Sequence, residues 1–80
     1  MSRAEKLLIR LLSQPKDFTY PELKTILSSF GYSEEQGAGS RVCFKSGIHK
    51  IKLHKPHPGT ILKQYQLSLI VDELRKEGLI

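Results

Sequence analysis

The three histidines, His49, His54 and His57, fall in one short stretch together with the single cysteine, Cys43, and an arginine, Arg41. An imidazole titrates near pH ~6.5, so these side chains suit general acid–base work at neutral pH. A three-ligand metal site on His49-x4-His54-x2-His57 is a poor fit. Alternation along a strand sends His49 and His54 to opposite faces, and no carboxylate lies nearby in the sequence. Cys43 next to a histidine evokes a thiol nucleophile, but no third orienting group is visible, and a small, partly buried residue is the simpler reading. Ser40, in the segment Gln36-Gly37-Ala38-Gly39-Ser40, can donate to a phosphate or merely cap a turn. No metal and no cofactor is expected.

The charges around these groups are one-sided. The chain has 80 residues, 13 Lys+Arg against 8 Asp+Glu, and a formal charge of +5. Residues 1–40 are balanced, so the whole excess lies in 41–80. Arg41, Lys45, Lys50, Lys52, Lys55 and Lys63 follow one another with no acid between them. Such an asymmetry points to a polyanionic partner, most simply nucleic acid, against the alternative of a solvated face that only confers solubility. No apolar run is long enough to cross a bilayer, and Met1 to Glu5 lead into an amphipathic pattern and not an apolar signal region. A lone cysteine excludes an internal disulfide framework. A single cytoplasmic domain over residues 1–80, without a membrane partner, is the expectation.

The elements that must position these groups are legible in part. Ser2 and Glu5 have capping-box spacing ahead of Ala4, Leu7, Leu8, Leu11 and Leu12, and Pro15 ends that helix. Thr19 and Glu22 cap a second helix, with Phe18 stapling to Leu23, Pro21 in the first turn and Gly31 as the stop. Ser33 to Gln36 suits only an edge strand. Arg41 to Leu53 reads as a hairpin turning at Ser46-Gly47, which pairs Val42 with Ile51 and Phe44 with His49 on an apolar face. Arg41 then faces Lys52 and Cys43 faces Lys50 on a basic one, with Lys45 and His54 on that same side. Thr60 is the expected cap of a last helix whose stripe is Leu67, Ile70, Val71 and Leu74, widened by Ile61, Leu62, Tyr65 and Leu69. In this reading Tyr65 packs and does not stack on bases. The order α-α-β-β-β-α, with helices on one face of a small antiparallel sheet, is α+β.

From Tyr20 onward, the ordered set Pro21-Glu22-Leu23, Phe30-Gly31-Tyr32, Gly39-Ser40, the basic strand Lys50 to His54, His57-Pro58 and Gly59-Thr60-Ile61-Leu62-Lys63-Gln64 resembles the HicA family of toxin–antitoxin ribonucleases. Residues 20–80 match the family-like core, and 1–19 form an additional N-terminal helix. The resemblance implies a fold like double-stranded-RNA-binding domains, cleavage of mRNA without metal, and neutralisation by a HicB-type antitoxin. The family pattern reads Gly-Ser-His with the histidine catalytic; here Arg41 follows Gly39-Ser40. An arginine stays protonated and cannot accept a proton from a ribose 2′-OH, though it can bind the scissile phosphate. His54, on the basic face with Lys52 and Arg41, is the expected surrogate acid or base. Ser40, Lys45, Lys50, Lys52, Lys55, His57 and Lys63 are the expected RNA-binding residues, His57 standing in a Pro-His-Pro loop where a helix N-terminus attracts phosphate. His49 is expected to be half-buried and structural. An RNA-binding module that does not cut, and a winged-helix DNA binder built on residues 2–54, are the competing readings; the latter lacks a recognition helix between Gly31 and Arg41.

Overall fold

In the computed structural model, residues 2–80 are described; Met1, with which the first expected segment begins, lies outside them. The elements are α1 (Arg3–Leu12), α2 (Tyr20–Ser29), β1 (Ser33–Gln36), β2 (Arg41–Ser46), β3 (His49–His54) and α3 (Gln64–Lys76). The strands form one antiparallel sheet in the order β1-β2-β3. The α+β class and the order α-α-β-β-β-α are as the sequence pattern requires.

Local chemistry accounts for the first two helices. The Ser2 hydroxyl accepts from the Glu5 N–H at the start of α1. Gln14, before Pro15, takes a left-handed φ of 49° just beyond its end. At α2 the capping box is reciprocal: Glu22 accepts from the Thr19 N–H at 3.0 Å, and the Thr19 hydroxyl accepts from the Glu22 N–H. Phe18 and Leu23 are both fully buried, as a staple demands. The chain before α2 is also clasped from outside, by Tyr20 N–H to the Thr60 carbonyl and Leu62 N–H to the Phe18 carbonyl, each at 2.8 Å.

The hairpin register differs from expectation. The loop is Gly47-Ile48, so Ser46 faces His49, Phe44 faces Ile51, Val42 faces Leu53 and Arg41 faces His54. The cause is the turn: its first loop residue carries φ 61°, which Gly47 accepts without strain and Ser46 would not. Moving the loop by one residue shifts each pairing by two, so every side chain keeps its face. The real register also sets apolar opposite apolar. Ile48 is left at the tip, 100% exposed.

Val42, Phe44, Ile51 and Leu53 point inward and join Leu23, Ile26 and Leu27 of α2 with Leu67, Ile70, Val71 and Leu74 of α3 in one core. Leu11 and Phe18 are fully buried in the same core, so the N-terminal segment is integral to the domain and not an appendage. The expected stripes are too wide at two places. In α1 Leu12 is exposed. Near α3, Ile61, Tyr65 and Leu69 are exposed while Leu62 alone is buried. The last helix starts later than expected: Lys63, and not Thr60, is its N-cap, because Thr60 to Leu62 is spent on the clasp to Phe18 and Tyr20.

Glu34 of β1 turns inward, accepts a hydrogen bond from the Tyr20 hydroxyl and lies 3.3 Å from Lys24. The Tyr20 bond holds its carboxyl below the usual carboxylate range, against an opposing effect of burial and with help from Lys24. Tyr20 is correspondingly pushed well above its ordinary value, by burial first and then by Glu34. A carboxyl whose pKa is depressed by folding stabilises above its unfolded value of ~4.3, and that stability is lost as pH falls through the folded value. Glu34→Gln is therefore expected to lower stability by about 1–3 kcal/mol at neutral pH. The gap to wild type should close as pH falls below ~4, read by denaturant melts across pH; a gap that widens in acid contradicts the assignment.

Candidate nucleic-acid interface

The outward face of the sheet carries the side chains that the inward face excludes. Arg41, Cys43 and Lys45 of β2 alternate with the buried Val42 and Phe44, and Lys50, Lys52 and His54 of β3 alternate with Ile51 and Leu53. Across the ladder Arg41 stands opposite His54, Cys43 opposite Lys52, and Lys45 opposite Lys50. Arg41 is thus directly opposite His54, and not opposite Lys52 as a turn at Ser46-Gly47 would place it. At ~3.3 Å per residue, the cationic face runs ~13 Å from Arg41 to Lys45. Facing like charges cost stability in an isolated sheet, and a bound polyanion removes that cost.

One carboxylate interrupts the face. Glu35 of β1 projects to the same side and pairs with Lys45 at 2.8 Å. This raises the Lys45 pKa, through the hydrogen bond first and then the charge. The pairing was hidden in the linear charge count, which shows no acid between Arg41 and Lys63. Alternation along the edge strand, with Ser33 and Glu35 out and Glu34 in, was the available signal. Other acids of the N-terminal half are similarly matched, Asp17 with Arg10 at 2.7 Å and Glu34 with Lys24 at 3.3 Å.

The far end of the face is the more elaborate. A depression of about 470 Å³ is lined by Arg41, Cys43, Lys52 and His54 together with Glu35 and Gly37. A second, of about 240 Å³, is lined by Ser40, His54, Lys55, His57, Lys63 and Tyr65. His54 borders both. Its Nδ1 lies 3.3 Å from the Ser40 hydroxyl, and the Lys55 N–H donates to the Ser40 carbonyl at 2.8 Å, so the Gly-rich turn is fastened to the end of β3. Gly37 lies against the Arg41 backbone, where a Cβ would come to 3.3 Å of the carbonyl oxygen.

Gln66 anchors this corner from the helix side. It is 5% exposed; its amide NH₂ donates to the His54 carbonyl at 2.9 Å, and its amide oxygen accepts from the Lys63 N–H at 3.0 Å. Sequence reasoning missed it. The signal was a polar residue four positions before Ile70, on the buried stripe, where an amide must find partners on both sides.

The expected site residues fall into three groups. Ser40, Arg41, Lys52 and His54 come together at one corner. Lys55, His57 and Lys63 border the adjoining depression, Lys55 also standing 5.6 Å over the Tyr20 ring. Lys45 and Lys50 lie apart, toward the hairpin tip. His57 does not open α3, which begins at Gln64, but reaches the same depression as the residues of its first turn. Tyr65, expected to pack, is 66% exposed and lines that depression. His49 faces inward, half-buried, with Nδ1 at the Tyr32 hydroxyl and Nε2 2.9 Å from Glu73. Burial, then Glu77 and Glu73, raise the Tyr32 pKa. Among the described residues no group of three potential ligands is placed to hold a metal. No described helix is long and apolar enough to cross a membrane.

Lys50→Glu tests the cost of the facing charges. It replaces Lys45 opposite Lys50 by an attractive pair and is expected to stabilise the fold by about 0.2–1 kcal/mol, read as a higher melting temperature. If RNA lies on this face, the same change should weaken its binding and flatten the salt dependence. A destabilised variant would show that the facing lysines are not in conflict.

No protein-family model, curated protein or solved structure matches this chain.

Proposed function

We propose that this protein is a cytoplasmic RNA-binding endoribonuclease of the HicA type, cleaving mRNA without a metal and held in check by a HicB-type antitoxin. The observation that carries the reading is one corner of the outward sheet face, where an imidazole stands opposite a guanidinium, beside a lysine and a hydroxyl. The ordered resemblance from Pro21 to Gln64 supports it, as do the cations that alternate outward along β2 and β3.

The chemistry fits those groups. His54 takes the proton of a ribose 2′-OH as its oxygen attacks the adjoining phosphorus. The O2′–P bond forms, the P–O5′ bond breaks, and the departing 5′ oxygen takes a proton from solvent. The products are a 2′,3′-cyclic phosphate and a 5′-hydroxyl. Arg41 and Lys52 stabilise the charge that builds on the phosphoryl oxygens. An antitoxin with an acidic face would complement the same surface.

Incubating the protein with end-labelled mRNA in the presence of a chelator should yield fragments ending in cyclic phosphate. Expression in a bacterial host without an antitoxin should arrest growth. Intact RNA and unaffected growth remove the reading. Arg41 in place of the family histidine favours one alternative, an RNA-binding module that does not cut. Salt-dependent binding without fragments would be its mark.

A further inference from the structure

We infer that Tyr65 is a stacking platform for an unpaired nucleobase, so that the depression beside His54 takes a single-stranded stretch of RNA; this rests on the RNA reading of the sheet face. The ring is a large apolar surface left in water at the second residue of α3, 66% exposed. Its neighbours are cationic or polar: Lys63, His57, His54 and Ser40 line the same depression. An aromatic face bordered by positive charge is the combination that holds a base by stacking and its phosphate by charge. The volume, about 240 Å³, is below the ~300–1,000 Å³ of pockets that enclose a whole drug-sized ligand, and suits one planar ring system.

The placement gives the stacked base a function. His54 borders this depression and the larger one lined by Arg41 and Lys52. A nucleotide seated on Tyr65 therefore lies in the depression that His54 borders, beside the Arg41–Lys52 end of the face. Gln66, the following residue, is bonded to the His54 carbonyl, so the backbone segments that carry the ring and the imidazole are tied together. A duplex cannot use this arrangement, because its base faces are covered by their neighbours in the stack. Tyr65 thus acts as a positioning residue that selects unpaired RNA.

The chain has no tryptophan, so Tyr65→Trp creates a fluorescence probe at one position. The titrants are a short 2′-O-methyl single strand, which cannot be cleaved, its duplex with the complement, and an abasic oligomer of equal length. The single strand is expected to quench the indole, and the duplex and abasic oligomer to leave it nearly unchanged. Tyr65→Ala should weaken single-strand binding by about 5- to 150-fold while Tyr65→Phe stays close to wild type. Undiminished binding by Tyr65→Ala, with salt dependence retained, overturns the stacking role alone and leaves the ring to a protein partner. Equal quenching by the duplex overturns the selection of single strands. A wild-type protein that binds none of the three at low salt overturns the RNA reading itself.

Discussion

His54→Ala is expected to slow RNA cleavage by about 10²–10⁴-fold, the usual contribution of a positioned acid or base, while RNA affinity hardly changes. The imidazole is one cationic or polar group among several at its corner, so its loss removes little of the phosphate grip. Arg41→Ala, directly across the ladder, should lower both affinity and rate, because a guanidinium acts on the phosphate in the ground state and in the transition state alike. Single-turnover cleavage and filter binding on the same labelled RNA separate the two quantities. A His54→Ala enzyme that cuts at the wild-type rate removes His54 from the mechanism. Arg41→Ala with unchanged binding would remove the phosphate contact. The pair distinguishes chemistry from grip, which a single substitution cannot do.

Phe18→Ala should carry the largest cost in stability, about 3–5 kcal/mol, as for other fully buried aromatics truncated to alanine. At ~0.05–0.15 kcal/mol per residue, a chain of 80 residues has only ~4–12 kcal/mol in all. The variant should therefore be partly unfolded at 37 °C, measured by chemical denaturation. Phe18 lies under the Arg10 guanidinium, 5.5 Å from ring centre to carbon, and its carbonyl receives the Leu62 N–H. Its truncation loosens α1, the entry to α2 and the 60–62 clasp together. A loss under 1 kcal/mol would mean that the N-terminal segment is separable from the core after all.

The parts of this fold that declare themselves in sequence are those governed by local chemistry. The Thr19–Glu22 box, the Leu67 to Leu74 stripe and the two-faced hairpin depend on residues close in the chain. What was not legible depends on contacts far apart in it. Thr60 looks like a helix cap, yet its carbonyl is already used by Tyr20. Ile61 and Tyr65 share the apparent helical stripe, yet the clasp turns the chain before α3 begins, and they end in solvent. The turn shows the reverse case, where a local rule was applied one residue early: Gly47 has to lead the loop. Because the error was even in register, the basic face survived it. At the site, Ser40, Arg41, Lys52 and His54 were recognisable as residue types. Their meeting with Tyr65 and Gln66 was not, since it joins β3 to a helix through a loop of irregular backbone.

Both ends of the Gln66 amide are occupied, one by the strand that carries His54 and one by the first turn of α3. The amide ties the start of α3 to the backbone at His54, so the pose of the helix bears on the end of β3. That pose is set by Leu67, Ile70, Val71 and Leu74, all buried in the core. Substitutions among them are expected to move the corner that carries His54 while the domain is still folded. If that corner cleaves RNA as proposed, the cleavage rate is expected to gauge core packing more sensitively than melting temperature does.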